Sequence, residues 1–207
     1  PQKKVYISFV QSDMLGLGAW DKPGRGSIPY AWELNMNWIW LAPSILEYHY
    51  LDATPNDYFI GCLSGPGYLY PNAIPKQHLH KMLKMTNELM SKVDLNSFEI
   101  MDYSTERKEA GISDLRKDVV DAYYEYLSNA IGFVNGYFSA QTFSNRDKRP
   151  FISYDYYLGP NKPAKEAAAD LRELAKFNSD RPYFLLVHVR QSSDVSRVKS
   201  IYDMLGK

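Results

Sequence analysis

Tyr183-Phe184-Leu185-Leu186-Val187-His188-Val189 is an apolar run interrupted by a single histidine. A strand with one face in water alternates apolar and polar residues. A strand apolar on both parities is covered on both faces, as in a parallel sheet flanked by helices. The flanking sequence supports that reading. Before the run, residues 163–177 carry Ala164, Ala167, Ala168, Leu171, Leu174 and Ala175 on one helical stripe, with Pro163 near the start. After it, Ser193 is the expected N-cap of a helix that turns Val195, Val198, Ile201, Tyr202 and Leu205 inward.

The same alternation extends back to the N-terminus. Strands are expected at 5–10, 28–33, 58–63, 98–102, 131–138 and 151–157. Helices are expected after Pro43, and over 76–93 and 115–127. Strand–helix alternation predicts a parallel sheet with right-handed crossovers. The expected fold is therefore α/β: a mainly parallel (β/α) barrel-like domain of about seven strands, incomplete or distorted, with an open doubly wound sheet as the other topology. The 207 residues fit a single domain, 1–207. The termini, Pro1-Gln2-Lys3-Lys4 and Leu205-Gly206-Lys207, suggest one domain of a longer protein.

Composition narrows the function. Lys plus Arg and Asp plus Glu both total 24, and no basic stripe occurs, so no nucleic-acid partner is expected. Arg146–Arg149 contains Asp147 and reads as a solvated loop. No apolar stretch is long enough for a membrane span. The single Cys62 sits in an apolar strand and reads as a structural thiol. His78 and His80 do not share a helix face, and no zinc-type spacing occurs, so no metal or cofactor is expected. Seventeen Tyr, nine Phe and four Trp are a surplus that suits a cleft binding sugars by stacking and polar contact.

In parallel α/β folds ligands sit beyond the carboxyl ends of the strands. The residues expected there are Ser12 and Asp13, Trp32 and Glu33, Ser64, Gly65, Gly67 and Tyr68, Asp102, Tyr137, Asp155 and Tyr156, then His188 and Arg190. Asp13, Asp155, Glu33 and His188 are the candidate catalytic groups, because glycosidic cleavage needs paired carboxylates. Trp20, Trp32, Ser64, Gly67, Tyr68, Asp102, Tyr137 and Arg190 are the candidate substrate-binding groups. Gly65-Pro66-Gly67 is not a dinucleotide loop, because Tyr68, Tyr70 and Pro71 follow where a third glycine and a helix would be needed. Its glycines are expected to form a tight turn that aims Tyr68 and Tyr70.

Gly65-Pro66-Gly67-Tyr68-Leu69-Tyr70-Pro71 resembles the signature of the GxGYxYP family of putative glycoside hydrolases, in its C-terminal domain. Ser27-Ile28-Pro29 through Trp32, Leu41-Ala42-Pro43, Asn56-Asp57, Val187-His188-Val189-Arg190 and Ser193-Asp194-Val195 agree with it, so the resemblance spans nearly the whole chain. It implies a bacterial, extracytoplasmic protein, secreted or periplasmic. It also implies a carbohydrate ligand and contacts with an N-terminal domain. One departure matters. Related sequences read Ser-Asp-Gly-Asp-Asn after the first strand, whereas this chain reads Ser12-Asp13-Met14-Leu15-Gly16. Leu15 stands where a second carboxylate would be. The alternative to a hydrolase is thus a non-catalytic carbohydrate-binding or structural domain with a degenerate site.

Overall fold

The computed structural model describes residues 2–14, 18–104, 114–136, 140 and 142–206, except for the side chains of Asp13 and Met14. These residues form nine strands and six α-helices. The strands are β1 Val5–Met14, β2 Tyr30–Leu34, β3 Asp57–Gly61, β4 Ser97–Ile100, β5 Gly132–Asn135, β6 Ser144–Arg146, β7 Arg149–Ser153, β8 Tyr156–Leu158 and β9 Tyr183–Val189. The helices are α1 Trp38–Leu41, α2 Pro43–Asp52, α3 Lys76–Lys92, α4 Lys117–Tyr126, α5 Ala164–Phe177 and α6 Val195–Leu205.

All nine strands belong to one sheet, in the order β6-β7-β5-β4-β3-β2-β1-β9-β8. Every neighbouring pair is parallel except β6 with β7. β7 and β8 lie towards opposite ends of that order, yet only Tyr154 and Asp155 separate them. A link of two residues spans only about 10 Å between strand ends. The sheet must therefore curl until its two sides approach each other, which gives a half-barrel.

The count of nine departs from the expected seven for two local reasons. The strand expected at 151–157 is divided by the bend at Tyr154 and Asp155 into β7, which pairs with β5, and β8, which pairs with β9. β6 is a short polar strand folded onto β7 through Asp147 and Lys148, both at positive φ (52° and 64°). That is the geometry of a tight hairpin turn, where the sequence suggests a solvated loop.

Alternation along the strands divides the apolar residues into two layers. Phe9, Tyr30, Trp32, Phe98, Phe133, Phe151, Leu185 and Val187 face the helices and form the main core with Leu79, Leu83, Val119, Leu171, Val198 and Ile201. Val10, Ile60, Val134 and Tyr154 face the opposite way and meet inside the curl, with Ala31 and Leu186 packed against them. The last helix starts one residue later than its expected cap. Asp194 is the N-cap and accepts the Arg197 N–H at 2.8 Å.

Candidate active site

Extending the interior register towards the strand ends brings polar groups together. On β2, Ala31 faces inward, so Glu33 does as well. On β4, Glu99 is in register with the inward Val134. On β9, His188 follows the inward Leu186 and is in register with Tyr157. Ser12 continues the inward parity of Val10 on β1. Glu33, Glu99, His188 and Ser12 are all wholly buried. The imidazole ties the cluster together. Its ring stacks on Tyr157 at 5.3 Å and meets Tyr154 edge-on at 5.1 Å. Its Nε2 stands 4.0 Å from Glu33 Oε1. Burial, reinforced by the Arg190 guanidinium, holds the His188 pKa down at about 3, so the ring is neutral at physiological pH. The Glu33 contact is then a polar approach beyond hydrogen-bond reach and not an ion pair.

Aromatic rings lead from this cluster to the rim. Cys62, Leu63 and Met101 form a small cluster on which Tyr70, Tyr103 and Tyr157 pack. Tyr70 meets Tyr103 edge-on at 6.2 Å and Tyr68 at 5.6 Å. The Tyr68 and Tyr70 hydroxyls are 3.3 Å apart, and Tyr68 is 59% exposed. The wall therefore runs from an exposed ring at the mouth to a histidine beside a buried carboxylate.

The Gly65-Pro66-Gly67 turn is held from beneath. Leu63 and Ser64 both adopt positive φ (64° and 70°), a conformation that costs about 1–3 kcal/mol per non-glycine residue. Ser64 Oγ donates to Met101 O at 2.7 Å and accepts the Met101 N–H at 2.8 Å, which locks the loop to β4. The Tyr123 hydroxyl donates to Ser64 O at 2.5 Å. The strain thus falls on Leu63 and Ser64, and the two glycines provide room. A Cβ on Gly65 would lie 2.4 Å from Leu69 Cδ2, and one on Gly67 would lie 2.9 Å from Asn37 Nδ2.

The expected site residues do not all gather at this mouth. Glu33, His188 and Tyr68 belong to the wall and the cluster, with Arg190 beside His188. Trp20 and Trp32 lie in the helix-facing core and are wholly buried, out of reach of a sugar ring. Their indole N–H groups donate to Asp52 (2.9 Å) and Asp57 (2.8 Å). Asp102 uses both oxygens within the protein, accepting from Asn72 N at 2.7 Å and from Ser104 N and Oγ at 2.9 and 2.6 Å. Asp155 accepts the Leu186 N–H at 2.7 Å and the Tyr183 hydroxyl at 3.0 Å, clamping the bend to β9. Ser64 serves the loop, as described. The Asp13 side chain, Leu15 and Tyr137 lie outside the described residues.

Glu99 and Tyr154 were not among the expected residues. The signal for Glu99 was present: an acid enclosed by Phe98, Ile100 and Met101, in the middle of a strand and not at its end. Among the described residues, no group of three or more His, Cys, Asp or Glu is arranged to hold a metal ion.

Comparison with known proteins agrees with this architecture. The crystal structure of a putative hydrolase from Bacteroides thetaiotaomicron VPI-5482 superposes with a TM-score of 0.75 at 20% identity, covering 98% of this chain and 42% of that one. The chain thus spans about two fifths of that neighbour, and the likeness is one of fold. No curated protein matches. The profile of the GxGYxYP putative glycoside hydrolase C-terminal domain matches residues 3–207, and the chain belongs to that family.

Proposed function

We propose that the chain is a carbohydrate-active hydrolase domain that cleaves a glycan at the mouth above its buried carboxylates, with Glu33 and Glu99 as the working pair. The observation that carries this reading is the convergence of Glu33, His188 and Tyr157 beneath a wall that begins at the exposed Tyr68. Glycosidic cleavage needs one carboxylic acid to protonate the leaving oxygen and one carboxylate to act as base or nucleophile. Two buried acids on the same inward face of the sheet suit this division of labour, because like charges disfavour ionising both. Neutral His188 flanks Glu33 without adding a charge beside it, and Arg190 meets polar groups of the sugar. Asp13, at the end of β1, is proposed as a further acid at the same mouth. Tyr68 and Tyr70 stack on sugar rings. The family name and the neighbour's description as a putative hydrolase support this reading.

One observation favours a second reading, binding without turnover: Glu33 and Glu99 are wholly covered, so the groups over them must shift before a sugar reaches either carboxylate. A panel of glycans incubated with wild type, Glu33→Gln and Glu99→Gln separates the two. Hydrolysis by wild type, reduced roughly a thousandfold or more in either variant while binding persists, supports catalysis. Binding by all three proteins with no hydrolysis supports the second reading and ends the first.

Two wider proposals follow from the family. The protein acts outside the cytoplasm, secreted or periplasmic. In a longer family member, the opposite mouth receives part of the preceding domain. That mouth exposes Tyr58 (57%) and Phe184 (63%), the latter stacked on Tyr6 at 5.2 Å. The described residues contain no helix long and apolar enough to cross a membrane.

A further inference from the structure

The bend between β7 and β8 fixes one side chain that the reading above leaves without a role. Ser153 turns outward, where its Oγ accepts the Ala140 N–H at 3.1 Å. Asp155 is held by Leu186 N and the Tyr183 hydroxyl. Between these anchors Tyr154 points inward and packs on Val10, Ile60 and Val134. Its hydroxyl is buried and has no hydrogen-bond partner among the described residues. An unsatisfied buried hydroxyl costs about 1–3 kcal/mol, which a phenylalanine would avoid. The titratable groups that face it are Glu33 from β2, Cys62 past β3, Glu99 from β4 and His188 from β9. Tyr157 stacks behind the imidazole, and Arg190 lies beyond it.

We propose that Tyr154 is a positioning residue for the carboxylate pair: its hydroxyl, unpartnered in the structure, turns to donate a hydrogen bond to one of Glu33 and Glu99 when that carboxylate ionises, and so favours the proton on the other. The proposal rests on the reading of those two residues as the working pair. The phenol is a donor and not a base, because burial, then Glu99 and Glu33, raise its pKa well above 10. A hydrogen bond to the ionised form stabilises that form. Removing the donor therefore makes the carboxylate it serves harder to ionise.

The test is NMR of carboxyl-labelled glutamate in wild type and Tyr154→Phe, with Glu33 and Glu99 assigned from their Gln variants. One of the two carboxylates is expected to titrate about 0.5–1 pH unit higher in the phenylalanine variant, with the fold retained. Fluorotyrosine at position 154 keeps the size and strengthens the donor, so it is expected to shift the same midpoint downward. Midpoints unchanged in both proteins overturn the proposal, even if Tyr154→Phe is less stable. The readout needs no turnover. A titration response without hydrolysis of any glycan upholds the Tyr154 link and removes the catalytic reading. Hydrolysis without a titration response does the reverse. Where turnover is present, the pH–rate profile is expected to move with the same midpoint.

Discussion

Trp32 and Glu33 are consecutive in β2 and both wholly buried, yet they belong to different chemistries. Trp32 turns towards the helices, into a network whose polar groups are joined to one another. Asp57 accepts from the Trp32 indole (2.8 Å), from Thr54 N and Oγ1 (2.9 and 2.7 Å) and from Arg25 (2.9 Å). Arg25 also pairs with Asp52 and lies over the Trp20 ring at 4.3 Å. Glu33 turns inward, to the side of the sheet where the buried Ser12 and Tyr154 hydroxyls have no partner among the described residues. Buried polar groups that satisfy each other are architecture. Buried hydroxyls without a partner, such as those of Ser12 and Tyr154, cost stability and suit a polar group brought by a ligand or by a moved side chain.

That contrast predicts separable effects. The largest is expected at Asp57. Asp57→Ala leaves Arg25 and the Trp32 N–H without their shared acceptor, and should destabilise the domain by about 3–5 kcal/mol in urea unfolding. Glycan affinity per folded molecule should not change; a variant that stays stable but loses affinity would merge the two regions. Next comes Ser64→Ala, which removes both bonds to Met101 while the positive φ remains, and should cost about 1–3 kcal/mol. Its effect should appear in stability and in the placement of Tyr68.

His188 sharpens the comparison through pH. The unfolded chain takes up a proton below pH 6.5, and the native state does not until about 3. Stability attributable to His188 is therefore present above 6.5 and is lost as the pH falls through that window, by up to about 1.4 kcal/mol per pH unit. The difference between wild type and His188→Gln isolates this slope from other titrating groups. Parallel stability curves for the two proteins would mean that the imidazole is not held neutral. The smallest effect is expected at the rim: Tyr68→Ala removes one stacking surface and should weaken glycan binding about fivefold, near 1 kcal/mol, with unfolding unchanged.

Much of the fold is legible in the residues. The apolar run at Tyr183–Val189 and the stripes on α3, α5 and α6 follow from burial alone. The bend at Tyr154 and Asp155 is not legible, because residues 151–157 read as one β-rich run and a buried clamp from Asp155 to β9 is a tertiary fact. β6 is invisible for a similar reason, since Ser144-Asn145-Arg146 has no apolar pattern.

The site was legible by position more than by direction. Choosing residues at strand ends finds Glu33 and His188, but it also admits Trp32, whose parity turns it away from the mouth. Asp102, at the end of β4, is engaged by Asn72 and Ser104, whereas Glu99, three residues earlier, has the inward parity. Strand alternation separates such pairs once the inward face is known, and that face becomes known only when the sheet curls.

The most direct measurement is a crystal structure with a glycan bound. The account predicts sugar rings against Tyr68 and Tyr70, with a glycosidic oxygen within about 2.6–3.2 Å of the Glu33 or Glu99 carboxylate. A glycan seated on the helix-facing side near Trp20 and Trp32, or at the opposite mouth on Tyr6 and Phe184, with both glutamates untouched, would contradict it.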